Sequence, residues 1–159
     1  MSQEIPKSWV GRILDFFARL LPQPGPPVLD SSVQAKIETP LDGGEVGYRI
    51  SVEGTHRRVP DNMELWLVLY SPDEDLFYPQ PSAIMLLPGG RWYTMATIGE
   101  DKSQYIGKTY EMLLLMLPRA SAMQLVRQAH EAMARGKGLG TPNIPRNGMV
   151  MDRRVITRR

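Results

Sequence analysis

An alternation of apolar and polar residues with a period of two begins near Val33 and constrains the fold more than any other feature of the sequence. It is clearest over residues 45–53, where the pattern is typical of a β-strand with one buried and one exposed face. The residues that share the apolar face are Val46, Tyr48, Ile50 and Val52. A short strand at 35–38 precedes this segment, and the residues from Pro40 to Gly44 predict a turn between the two. These two strands are expected to pair.

Other segments indicate more strands. Residues 64–70 and 109–117 are apolar on both faces and predict strands in the middle of a sheet. Residues 91–98 predict a strand with one apolar face, and a last strand is expected at 151–157. The short segment 77–79 contains a proline, which favours the edge of a sheet or an irregular crossing.

One helix is expected before the last strand, from Ser121 as its N-cap to about Arg135, with Gly136 as the stop signal. About seven short strands separated by turns are typical of a sandwich of two sheets. The sequence therefore predicts a mostly-β fold with one short helix inserted.

Several short motifs occur in a characteristic succession. They are Pro40-Leu-Asp-Gly-Gly, Leu65-Trp-Leu-Val-Leu-Tyr, Phe77-Tyr-Pro-Gln, Gly90-Arg-Trp, Ile98-Gly and Tyr110. This succession resembles small immunoglobulin-like or fibronectin-III-like domains of bacterial proteins over residues 33–117, together with the last strand. The resemblance implies an immunoglobulin-like antiparallel β-sandwich that binds other macromolecules, in multi-component signalling or defence machinery, and transfers no catalytic residue. The helix at 121–135 departs from a minimal sandwich and leaves the placement of the last strand open.

The first 32 residues predict a separate element. Residues 9–21 have the spacing of an amphipathic helix, and a proline-rich linker at 22–32 separates it from the β-domain at 33–159. The expected partner-binding residues on its apolar stripe are Trp9, Ile13, Leu14, Phe17, Leu20 and Leu21. Something must cover this stripe, and three occupants stay open: the β-domain itself, another subunit or partner, and a membrane surface.

The composition restricts the chemistry. The chain has no cysteine, which excludes disulfides and thiolate ligands and favours a reducing, cytoplasmic compartment. Charges interrupt the apolar stretch near the start, so neither a secretory leader nor a membrane span is expected. His56 and His130 have no second ligand at a useful spacing, and the cluster from Asp73 to Asp75 is expected to be an exposed hairpin tip. We therefore expect no metal and no cofactor.

Some aromatic and basic residues are candidate contacts. Trp66 and Trp92 are expected to pack in the core between the sheets, which leaves Tyr78 and Tyr93 as candidate surface contacts. The basic residues Arg153, Arg154 and Arg158 near the end of the chain are candidate contacts to phosphates or to an acidic partner surface. Aromatic residues are not interleaved among them, which argues against nucleic acid as the main partner.

The leading hypothesis is a non-catalytic adaptor that recruits a protein partner, or oligomerises, through helix 9–21. One alternative is a peripheral membrane protein that uses the same helix. The other is a small enzyme or ligand-binding domain with a site built by loops. It predicts a deep pocket near Tyr78, Gln80 and His56.

Overall fold

A computed structural model describes residues 30–135 and 140–159 of the 159-residue chain. The predicted helix 9–21 and the linker as far as residue 29 lie outside this part. In the described part the chain forms nine β-strands and one α-helix. In chain order the elements are β1 (Gln34–Thr39), β2 (Gly44–Val46), β3 (Arg49–Arg57), β4 (Met63–Ser71), β5 (Leu76–Pro79), β6 (Met85–Leu87), β7 (Arg91–Thr97), β8 (Thr109–Pro118), α1 (Arg119–Ala134) and β9 (Met149–Arg158).

The strands form two sheets, which confirms the prediction of a mostly-β protein. The first sheet has the order β1-β3-β7-β6, and the second has the order β2-β9-β8-β4-β5. Strands β4 and β8, predicted from their apolar character, lie inside the second sheet, and β5 lies at its edge, one of the two placements that its proline favoured. The last strand pairs with β8, so the placement that the sequence left open is resolved.

Three details differ from the sequence-based predictions. Residues 45–53 belong to two strands in different sheets, because the chain leaves β2 at Val46 and enters β3 at Arg49. Strand β2 joins the free edge of β9 and runs parallel to it. The other strand pairs in the described part are antiparallel. The helix begins at Arg119, directly after β8, and not at Ser121, whose hydroxyl donates to Asn147 instead (2.9 Å).

The two sheets enclose a shared apolar core. Strand β7 contributes Trp92 and Ala96 from its buried face, as the alternation predicted. The indole Nε1 of Trp92 donates to the carbonyl oxygens of Lys36 and Thr55, each at 3.1 Å. This arrangement fixes the ring across β3 and leaves no buried indole donor unsatisfied.

A second apolar core lies between the second sheet and α1. Leu115 and Leu117 of β8 and Trp66 of β4 face Ala122 and Leu125 of the helix there. The expectation that Trp66 packs between the sheets is therefore wrong, because alternate side chains of β4 point to the helix-covered face. The helix explains why β4 and β8 are apolar on both faces, since both faces are covered. No helix in the described ranges is long and apolar enough to cross a lipid bilayer.

Candidate functional site

A cavity of about 820 Å³ lies at one end of the two sheets. The beginnings of β3 and β8, the end of β7 and the turn between β4 and β5 contribute to its walls. Four of the chain's six tyrosines line it, namely Tyr48, Tyr78, Tyr105 and Tyr110. We call it the tyrosine cavity. Its volume is within the roughly 300–1,000 Å³ of small-molecule sites.

Each tyrosine reaches the cavity from a different element. Tyr110 is the second residue of β8 and packs in the core between the sheets, and Tyr78 lies on β5 opposite Leu69 of β4. Tyr105 ends a single 3-10 turn, and Tyr48 lies in the connection between β2 and β3. The fold therefore brings together residues that are far apart in the sequence.

Gly99 makes room for two of these rings. A Cβ atom at this position would lie 2.8 Å from the ring of Tyr105 and 3.0 Å from the hydroxyl of Tyr110. The residue also has a φ of +69°, which favours glycine. Tyr105 and Tyr110 can therefore pack closely against this turn only because residue 99 has no side chain.

The hydroxyls of Tyr78 and Tyr110 have different surroundings. The hydroxyl of Tyr78 donates to Glu74 Oε2 at 2.7 Å, and burial, reinforced by this bond, raises the pKa of Tyr78. Burial also raises the pKa of Tyr110 to about 12, and the carboxylate of Glu74 adds to the rise. Tyr110 is only 3 % exposed, and within the described ranges its hydroxyl makes no hydrogen bond. The fully buried side-chain atoms without a partner in the described part do not include this oxygen, so the hydroxyl is accessible at the wall of the cavity and can serve a ligand.

Cations of the protein itself lie against two of the rings. The guanidinium carbons of Arg49 and Arg158 lie 5.7 and 5.6 Å from the ring centre of Tyr48. The ammonium of Lys108 lies 5.1 Å from the ring centre of Tyr105. These distances are within the range of cation–π attraction.

Gln80 holds the cavity's scaffold together. Its side chain accepts a hydrogen bond from the backbone N–H of Thr97 at 2.8 Å and donates to the carbonyl of Tyr78 at 3.3 Å. The indole Nε1 of Trp66 donates to the Gln80 carbonyl at 3.0 Å. Because β7 and β5 belong to different sheets, this buried amide joins the two sheets beside the cavity and fixes its shape.

The predicted candidate contacts fall in different places. Tyr78 lines the cavity, whereas Tyr93 lies on β7 outside it and its hydroxyl contacts the sulfur of Met95. His56 lies near the far end of β3, where its backbone N–H donates to the carbonyl of Gly90. Of the residues expected around a loop-built pocket, Tyr78 and Gln80 line the cavity and His56 does not.

The three arginines of β9 have separate surroundings. Arg153 is exposed and pairs with Glu111 at 3.5 Å. Arg154 pairs with Asp152 at 2.9 Å and also donates to the carbonyl of Ile37, so it links β9 to β1. Arg158 is 7 % exposed and lies beside Tyr48, close to the cavity. The structure therefore does not gather these arginines around one point.

Sequence reasoning did not single out Tyr48, Tyr105, Tyr110 or Glu74 as site residues. Tyr48 and Tyr110 carry only the signal of strand residues, and Glu74 carries that of a hairpin tip. The sequence signal near Tyr105 is the pair Gly99 and Gly107, two glycines that favour turns on either side of it. It indicates a turn and says nothing of a cavity.

In the part of the chain that the structure describes, no three His, Asp or Glu side chains gather around a possible metal position. A comparison with models of known protein families finds no match. A search among curated proteins finds no significant match either.

Proposed function

We propose that the protein is a non-catalytic binding module of the adaptor type, an immunoglobulin-like β-sandwich that recruits a protein partner. The observation that carries the proposal is the tyrosine cavity, a hollow of ligand size walled by strands of both sheets. The Tyr110 hydroxyl is accessible at its wall and makes no hydrogen bond among the described residues. Rigid strands that hold aromatic side chains around such a hollow are suited to recognition.

The strand order supports the immunoglobulin-like assignment. Immunoglobulin domains pack an A-B-E-D sheet against a sheet that contains G, F and C, and variable-type domains add C′ beyond C. Assigning β1, β3, β7 and β6 to A, B, E and D, and β9, β8, β4 and β5 to G, F, C and C′, reproduces both orders. With this assignment α1 lies between F and G, as an insertion. The resemblance inferred from the sequence motifs points the same way.

The second recruiting element in the proposal is the predicted helix 9–21. Its apolar stripe supplies a short element for a partner's groove or for a second copy of the chain. The proline-rich linker places it at a distance from the cavity. In this proposal the protein serves a bacterial multi-component signalling or defence complex in the cytoplasm, as the resemblance and the composition together suggest.

Capture experiments with the full-length chain test this proposal. We expect wild-type protein to retain a partner from an extract of its source cells. The amount of captured partner is expected to fall at least about tenfold when Leu14→Glu disrupts the stripe or Glu74→Arg reverses the charge at the cavity, because each substitution removes one recruiting element. Glu38→Arg, an exposed position on β1 away from the cavity, is the matched control. Quantitative mass spectrometry measures the captured proteins.

A partner retained equally by wild type, Leu14→Glu and Glu74→Arg would refute the adaptor proposal. Flotation with anionic lipid vesicles addresses the membrane alternative. Wild-type protein that floats, together with a Leu14→Glu variant that does not, would replace the adaptor proposal with membrane attachment.

A further inference from the structure

We propose that the tyrosine cavity binds an organic cation: the ammonium or guanidinium head of a basic side chain that a partner peptide inserts beside Tyr78, Tyr105 and Tyr110, facing Glu74. The inference rests on the proposed function, because it names the chemistry by which the cavity holds the partner.

The aromatic rings of the cavity favour a cation. The face of a tyrosine ring is electron-rich and attracts cations within about 6 Å of its centre. The protein's own cations already use this attraction at Tyr48 and Tyr105. Among the described residues, no cation lies over the ring of Tyr78 or of Tyr110 at such a distance. The cavity therefore offers aromatic surface of a kind that the protein pairs with cations elsewhere.

The charges that line the cavity also favour a cation. The charged residues that line the cavity are Arg49, Glu74 and Glu100. Arg49 stacks on Tyr48, and Glu100 forms an ion pair with Lys102. Glu74 forms no ion pair within the described part and only accepts the hydroxyl hydrogen of Tyr78. Its carboxylate is the charge available to a ligand.

The charged groups that act on the Tyr110 hydroxyl are also, on balance, negative. Burial is the largest cause of the raised pKa of Tyr110; of the charged groups, Glu74 and Asp73 raise this pKa further, whereas Arg158 has a smaller effect and lowers it. The carboxylates therefore outweigh the arginine at the Tyr110 oxygen. Since Tyr110 stays neutral over the physiological range, its oxygen can accept a hydrogen bond from an N–H donor.

The apolar and polar walls of the cavity together fit a basic side chain. Lysine and arginine combine a charged head with an apolar stem, and the stem needs apolar walls. Leu69, Pro79 and Met95 supply such walls, while the tyrosines and Glu74 receive the head. The volume of about 820 Å³ exceeds the need of one side chain and leaves room for neighbouring peptide groups.

An anion is the competing ligand, because Arg158 is buried and its Nε atom makes no hydrogen bond within the described ranges. However, the guanidinium groups of Arg158 and Arg49 both lie against Tyr48. Arg158 does not line the cavity, and a carboxylate or phosphate that reached Arg49 would share the cavity with Glu74 and Glu100. Charge complementarity therefore favours the cation, and an anionic probe becomes an arm of the test.

The experiment is an NMR titration of the full-length protein that follows the ring signals of its tyrosines. The probes are N-acetyl-lysine amide and N-acetyl-arginine amide, their neutral counterpart N-acetyl-Nε-acetyl-lysine amide, and the anionic N-acetyl-glutamate amide. We expect a saturable response at Tyr78, Tyr105 and Tyr110 to the cationic probes, and affinities at least about tenfold weaker for the other two. Added salt should weaken the response to the cations.

Glu74→Gln is the diagnostic variant, and we expect it to lower the affinity for the cationic probes by about tenfold. Glu74 is exposed in the turn between β4 and β5, so the change should leave the fold intact, which tryptophan fluorescence checks. Glu38→Gln is the control and should leave the affinities unchanged.

The inference is wrong if the neutral or anionic probe binds as tightly as the cations, if no probe moves these ring signals, or if Glu74→Gln binds like wild type. Its failure is separable from that of the adaptor proposal. If Glu74→Arg still loses the captured partner but the wild-type protein does not respond to the cationic probes, the adaptor proposal stands and the cation proposal is wrong.

Discussion

Replacing Gly54 with alanine is expected to destabilise the protein by about 3 kcal/mol or more. Gly54 is buried in β3, directly under the indole of Trp92. A Cβ atom there would lie 2.5 Å from two carbons of that ring and even closer to the carbonyl oxygen of Lys36. Because the indole also donates hydrogen bonds to β1 and β3, it cannot move aside without losing them. Chemical denaturation of the full-length protein measures the change in the free energy of unfolding.

Gly47→Ala is the matched control for this substitution. A Cβ atom at Gly47 would lie 4.0 Å from the nearest atom, the carbonyl oxygen of Arg49, which is ordinary contact. We expect this change to alter stability by no more than about 0.5 kcal/mol. Equal stabilities for the two variants would contradict the packing of Trp92 across Gly54.

Leu115→Ala is expected to cost about 2–5 kcal/mol of stability. Leu115 lies on β8 on the face covered by α1 and is 0 % exposed. Its truncation removes buried apolar contact and leaves a cavity between the helix and the second sheet. The same denaturation measurement gives the change in the free energy of unfolding.

The control for the helix layer is Val150→Ala, because Val150 on β9 is the register partner of Leu115 but is 51 % exposed. We expect it to change stability by no more than about 0.5 kcal/mol. A cost below about 1 kcal/mol for Leu115→Ala would mean that α1 does not cover this face of the sheet.

Much of the β-structure follows from the sequence because periodicity reports burial directly. The alternation in β7 correctly predicted its buried face, and the doubly apolar segments correctly predicted the interior strands β4 and β8. The sheet to which a strand belongs is a different question. Residues 45–53 show one continuous alternation, yet the chain changes sheets at Gly47 and Tyr48. Strand β6 is three residues long and too short to give a periodic signal.

The cavity could not be predicted in the same way. Its tyrosines come from two strands, a 3-10 turn and a connection, and their proximity depends on topology and not on spacing. Tyr78 was singled out because it lies between other aromatic residues and prolines. Tyr110 was not, because its pattern is that of an ordinary buried strand residue. The adaptor helix at 9–21 stays a prediction from the sequence.

The high-pH titration of Tyr110, followed by the NMR signal of its ring in the folded protein, tests most directly whether this largely buried residue lies at the wall of a negatively charged cavity. The account predicts that Tyr110 stays protonated above the ordinary tyrosine pKa of 10.0 and titrates near 12. A raised pKa stabilises the fold below pH 10, and this contribution is lost as the pH rises towards 12. Glu74→Gln should lower the pKa of Tyr110. A Tyr110 that loses its proton near pH 10 in the folded protein, with or without Glu74, would contradict the account.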